Sequence, residues 1–173
     1  VESVFDRTLK QINRGHTMET SRKAIRDTAL RGIRCGVHMI IGLPGETKED
    51  WLESMKVLSR LPIDHVKFHQ LQIVRGTMMA REYEQNPHWF RDFSMDEYLY
   101  LMSDLLERLS PKIVVERIAG EVSPELNVRE GWGLRYDRVL RRFEEILAER
   151  DTWQGRCFEE GEDCGHPMDL QNR

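Results

Sequence analysis

His38 lies in the run Val37-His38-Met39-Ile40-Ile41-Gly42, and Lys67 and His69 lie in Val66-Lys67-Phe68-His69-Gln70-Leu71. Imidazole and ammonium groups hold or move protons and bind polar cofactors or anions. Both runs have strand character, and alternate residues of a strand face opposite sides. Val37, Met39 and Ile41 therefore form one row, with His38, Ile40 and Gly42 on the other; Val66 and Phe68 oppose Lys67, His69 and Leu71. Strands buried on both faces of a parallel sheet are apolar on both. Here one row of each strand is titratable, which points that row at a ligand or cofactor, unless these histidines only satisfy local hydrogen bonds or face solvent at an open edge.

The first of these runs breaks into Gly42-Leu43-Pro44-Gly45-Glu46-Thr47, a turn that restarts as a helix. Strand-to-helix loops of this kind carry the chemistry of α/β barrels. Further along, Glu116, Arg117 and Glu121 fall at or just past a strand end, and Trp132 and Tyr136 follow in a Gly-flanked loop. They either shape a substrate pocket or form an ion pair and packing contacts. The cysteines do not make a metal site: Cys35 opens a strand, and Cys157, Cys164 and His166 lie in a polar tail at a spacing that fits no structural zinc pattern.

Alternating helices and strands position these groups. Val1 to Ser3 read as the end of a strand, with Asp6 as the N-cap of a short helix carrying Leu9 and Ile12. A helix follows from Met18 to Leu30, then the strand Cys35 to Ile41, then a helix opened by Thr47 and Asp50 in a capping box, with Trp51, Leu52, Met55 and Leu58 as its buried stripe. The strand His65 to Val74 leads into a polar, aromatic connector, Arg75 to Phe93. Ser94 and Glu97 then cap a helix that buries Tyr98, Met102, Leu105 and Leu109, followed by a strand from Ile113 to Ile118 and a last helix from Tyr136 to Arg150. Repeated strand-helix units imply parallel strands.

Composition narrows the classes. A chain of 173 residues with 39% hydrophobic content can bury one ordinary core. The net charge of -4 gives no global basic field for nucleic acid. No apolar run approaches the ~20 residues of a membrane span. Three cysteines, an odd number, suit a reducing compartment, and the expected location is cytoplasmic.

Four segments in order carry a family resemblance: Lys10-Gln11-Ile12-Asn13-Arg14-Gly15-His16, Gly42-Leu43-Pro44-Gly45-Glu46-Thr47, the stretch Leu61 to Leu71, and Thr152-Trp153-Gln154-Gly155. The chain resembles the YhcC-like branch of radical S-adenosylmethionine (SAM) proteins, a group of Fe-S oxidoreductases related more distantly to oxygen-independent coproporphyrinogen III oxidase and the elongator catalytic subunit. The resemblance implies the later units of a (β/α)6 TIM-like barrel over residues 1–110, containing strands 4 to 6, and a C-terminal extension over residues 111–173. It implies SAM and a [4Fe-4S] cluster as cofactors of an intact parent, which cleaves SAM reductively to a 5'-deoxyadenosyl radical.

The resemblance also assigns positions. Arg14 matches an arginine that holds the methionine moiety of SAM. Ile40 and Gly42 match the segment packed on adenine, and His69 and Leu71 match positions flanking the ring. Glu2 stands where the family has a polar ribose contact, usually glutamine, and His38 stands in place of an acidic residue near the ribose. The cluster loop C-x3-C-x2-C does not occur, so the chain is expected to be the C-terminal half of such an enzyme, inactive alone, without its own cluster, and partnered by the N-terminal half of the same barrel. An exposed strand edge would then favour self-association. The substrate, small molecule or macromolecule, is open. The alternative is a stand-alone α/β module that binds a nucleotide or adenine without redox chemistry.

Overall fold

A computed structural model describes residues 1–129 and 131–159. Cys164 and His166 of the polar tail lie outside the described residues. Three strands, β1 (Gly36–Ile41), β2 (His65–Gln70) and β3 (Val114–Arg117), form a parallel sheet in that order. Glu2 adds a parallel bridge to Met39 on the outer side of β1, donating to the His38 carbonyl at 2.7 Å and accepting from Ile40 at 2.9 Å. The expected α/β architecture, a partial barrel of strand-helix units, is what forms.

Helices α1 (Asp6–Gln11), α2 (Met18–Ala29), α3 (Lys48–Ser59), α4 (Met78–Gln85), α5 (Met95–Arg108) and α6 (Tyr136–Glu149) complete the chain. The two capping boxes form as read: Thr47 with Asp50 opens α3, and Ser94 with Glu97 opens α5. The strand row Val37, Met39, Ile41, Val66 and Phe68 is buried with Trp51, Met55 and Leu58 of α3 and with Tyr98, Met102 and Leu105 of α5. Each such side chain contributes about 1.5–3 kcal/mol by leaving water. Leu52 is only partly buried, at the rim of that core.

Three expectations are corrected. Asp6 does not cap α1; Phe5 occupies the N-cap without a side-chain bond, and the Asp6 carboxylate accepts from the Met18 N–H at 2.7 Å, tying α1 to the start of α2. The second strand stops at Gln70, four residues early, because the chain beyond it pairs with a loop: Ile73 accepts from Val128 at 2.8 Å and Arg75 donates to Leu126 at 2.7 Å. The connector Arg75 to Phe93 contains α4 and a 3-10 turn, Pro87–Trp89. Only Ala80 of α4 is fully buried, with Met79 and Tyr83 partly buried beside it, and Thr77 caps the Ala80 N–H at 3.2 Å to start the helix. Ile73, Ala80 and Phe90 make a small second core there.

Among the described residues no helix is long and apolar enough to cross a membrane.

The buried hydroxyl of Tyr98 donates to the Ile118 carbonyl at 2.7 Å, fastening α5 to the end of β3. Tyr98→Phe leaves that carbonyl without its donor in a dry site and should destabilise the chain by about 1–3 kcal/mol. Urea unfolding checks this, with the midpoint lowered and the slope unchanged.

Candidate functional site

The row opposite the helices is half-exposed and polar, as the alternation predicts. β1 and β2 register His38 with Lys67 and Ile40 with His69. The His38 and His69 rings stack at 5.4 Å with 20° between planes. Lys67 meets Glu116 at 2.9 Å, and His65 meets the other oxygen of the same carboxylate at 3.3 Å. Glu116 reaches both because the β2–β3 register shifts between Val66 and Lys67. The alternative of a Glu116–Arg117 pair is thus not what forms; the Arg117 guanidinium lies over the Tyr136 ring at 5.2 Å.

His69 is held more neutral than an ordinary histidine. Burial is the larger cause, and the neighbouring His38, Arg117 and Lys67 add positive potential. Its Nε2 is buried and has no hydrogen-bond partner among the described residues. Gly120 makes room for the ring, since a Cβ there would lie 2.5 Å from Nδ1.

At the C-terminal ends of β1 and β2, Gly42 adopts φ of +92°, a conformation side-chain-bearing residues rarely accept. A Cβ on it would approach Phe93 to 3.1 Å and Leu71 to 3.7 Å. Gly42, Leu71 and Phe93 therefore meet at the mouth of the sheet, beside Ile40 and His69. Phe93 ends the polar, aromatic connector and had no role assigned from the sequence.

Glu2 and Arg14 pair with each other at 3.4 Å, on the outer side of β1. The bridge registers Glu2 with Met39, between His38 and Ile40, and Glu2 has a φ of 73°. Arg14 is carried by a turn beyond α1, where its N–H donates to the Leu9 carbonyl at 2.9 Å. About 39% of its side chain is exposed, so it can exchange one carboxylate for another. The seven residues assigned by resemblance thus fall into a connected row (His38, Ile40, His69), a mouth (Gly42, Leu71) and a separate charged pair (Glu2, Arg14).

The loop's glutamate also had no assigned role. Glu46 is half-buried and accepts from Trp51 Nε1 at 2.8 Å, from the Ser3 hydroxyl and from Thr8. Burial raises its pKa above the usual glutamate range while those donors oppose the rise. Trp132 packs on Tyr98 at 5.2 Å and donates to the Phe93 carbonyl at 3.0 Å, and Glu121 accepts from the Tyr136 N–H at 2.6 Å at the start of α6. Both are structural contacts, yet together with Gln70, Gly120 and Tyr136 they border an open cavity of about 500 Å³ past the ends of β2 and β3. Two glutamines build its floor: Gln70 exchanges two 2.9 Å hydrogen bonds with the Gly120 backbone, and Gln72 adds a third at 3.2 Å.

Residues 1–58 match the Radical SAM superfamily and residues 63–149 match the Radical_SAM C-terminal domain. The chain belongs to the radical SAM superfamily. MJ0486 of Methanocaldococcus jannaschii is 36% identical over 91% of this chain and 49% of its own length. YtqA of Bacillus subtilis is 31% identical over 92% of this chain and 49% of its own. YhcC of Escherichia coli K12 is 27% identical over 69% of this chain and 38% of its own. The chain therefore spans about half the length, or less, of these curated relatives. The solved structure of Methanocaldococcus infernus Elp3 with an N-terminal deletion superposes with a TM-score of 0.76 over 89% of this chain and 36% of that one, at 18% identity, which establishes the shared fold.

Because the folded chain favours neutral His69 and the unfolded chain does not, stability is full above the ordinary histidine pKa of 6.5 and falls as pH drops through it toward the lower folded value. NMR titration should place His69 below 6.5. His38→Ala should raise that midpoint only part of the way back, since burial remains.

Proposed function

We propose that this chain forms part of the SAM-binding barrel of a radical SAM enzyme and contributes its adenine-facing wall. What supports this above all is the row Ile40, Gly42, His69 and Leu71 converging at the C-terminal ends of β1 and β2, where ligands of parallel barrels bind. Its chemistry fits an adenine. Ile40 and Leu71 offer half-exposed apolar surface, Gly42 keeps the wall free of a side chain, and the unpartnered Nε2 of His69 offers a hydrogen bond to a ring nitrogen or amine. Arg14 suits the carboxylate of the methionine moiety, because its guanidinium has only a single 3.4 Å contact to Glu2 and a planar fork to offer. His38 stands where a ribose hydroxyl would find a partner.

Bound SAM and a [4Fe-4S] cluster supply one-electron reductive cleavage of the sulfonium bond. The chain's own groups bind, orient and shield. His69, kept neutral by burial, neither repels a sulfonium nor donates a proton indiscriminately. Phe93 and Trp132 restrict water at the mouth. The two cysteines among the described residues do not suit the cluster. Cys35 donates its N–H to Asp64 at 2.6 Å, and its thiol is pushed up in pKa by burial and by that carboxylate, the opposite of what a thiolate ligand needs. Cys157 lies exposed on the far side of α5, 3.9 Å from Glu107. The thiolates are assigned to the part of the longer polypeptide outside these residues, and the free side of the Glu2 bridge is where its strands would join.

Arg14→Ala in the full-length enzyme should weaken SAM binding by about 1.5–3 kcal/mol, the worth of a hydrogen bond to a charged group. The fold should lose less than about 1 kcal/mol with the surface pair to Glu2. Calorimetric titration decides: unchanged affinity removes Arg14 from the site, and full affinity without any cluster favours a simple adenine-binding module. For the 173 residues alone, anaerobic reconstitution should give neither a broad visible absorption shoulder nor roughly four irons per chain.

A further inference from the structure

A second, smaller cavity of about 40 Å³ adjoins the mouth and shares Gln70, Gln72, Asn127, Gly131 and Trp132 with the open one. It collects buried polar atoms with no partner among the described residues: Gln72 Oε1, Asn127 Oδ1, and Nε and Nη2 of Arg129. Asn127 is only 8% exposed and the Arg129 side chain 11%. Leaving such groups unsatisfied is destabilising, most of all for a charged one. Four in one small space mark a place built for something that satisfies them.

Arg129 is held as a fixed plate. Its guanidinium lies 4.8 Å from the Tyr83 ring centre and 5.9 Å from that of Phe90, its Nη1 donates to the Arg91 carbonyl at 2.9 Å, and the largely solvated Asp92 carboxylate is 3.5 Å from the same nitrogen. The outer edge is therefore engaged. The Nε and Nη2 edge is the one that grips a carboxylate or phosphate with two parallel hydrogen bonds, and among the described residues it has no partner. Asn127 and Gln72 line the same cavity, and each carries a buried oxygen with no donor among the described residues.

The geometry points to a substrate subsite in which Arg129 binds an anionic group, carboxylate or phosphate, that carries a neighbouring O–H or N–H for Asn127 and Gln72. The cavity also borders Leu71, the adenine-flanking position, so such a group would be held next to the cofactor. The word substrate rests on the proposed function; anion binding by Arg129 does not.

The test is an NMR titration of the Arg129 Nε–H signal in the protein without SAM, at constant ionic strength. The probes are glycolate (carboxylate with hydroxyl), acetate (carboxylate alone) and inorganic phosphate. The expected result is a saturable shift with glycolate or phosphate, and glycolate tighter than acetate by about fivefold, the gain of one further hydrogen bond. Asn127→Ala should erase that preference while leaving acetate binding in place, and an unchanged far-ultraviolet spectrum shows that it folds. A signal that none of the three anions moves would mean the cavity holds only water and overturns the subsite. Displacement of glycolate by SAM would overturn its assignment to substrate. Failure of SAM to bind at all, with glycolate still bound, would count against the cofactor reading and leave the anion site standing.

Discussion

The carboxylate of Glu46 is the tie on which the mouth depends. It gathers donors from Ser3 and Thr8 at the start of the chain and from the indole of Trp51, which is fully buried in α3. One side chain thus joins the segment that carries Glu2, the loop that follows β1 and the helix that covers the sheet. Burying a carboxylate is costly unless it is well bonded, and three donors meet that cost here. With Glu46 in place, Gly42 is fixed against Leu71 and Phe93, and the direction in which His38 and Ile40 leave the sheet is fixed with it. Lose it, and the loop has no other side-chain anchor to Ser3.

Most of the scaffold was legible because it rests on local chemistry. Thr47 and Ser94 announce their helices by the acid three residues on, and strand alternation places His38 and His69 on one face and Met39 and Phe68 on the other. What escaped was decided by partners distant in sequence. Nothing near Gln70 says that its amide will clip Gly120, fifty residues on, or that the chain beyond it will leave the sheet to pair with Leu126 and Val128. Helix α4 is only eight residues long and joins a small core with Ile73 and Phe90, so its short amphipathic stretch reads as part of a connector. Asp6 has the right residue type for a cap but serves another helix's N-terminus.

The site divides the same way. Parity found the polar row, and the family resemblance supplied Arg14, Gly42 and Leu71. Neither could show that Glu2 and Arg14 take each other as partners, nor that Glu116 ties to β2 and not to its neighbour Arg117. Those outcomes turn on a positive φ at Glu2 and on a register shift next to Lys67, backbone details that residue types do not encode. Phe93, Asn127 and Arg129 come from connectors with no repeating pattern, so only folding reveals that they converge on the mouth.

The register shift has one more effect. β3 is four residues long, kinked against β2, and its last two residues are Glu116 and Arg117. Short, irregular, charged margins resist docking by another strand. The opposite margin behaves otherwise: β1 runs straight in register and already accepts a neighbour at Glu2. The two margins of the sheet are therefore unlike: one is short, shifted in register and charged, the other regular along its length and bridged at its middle by the start of the chain.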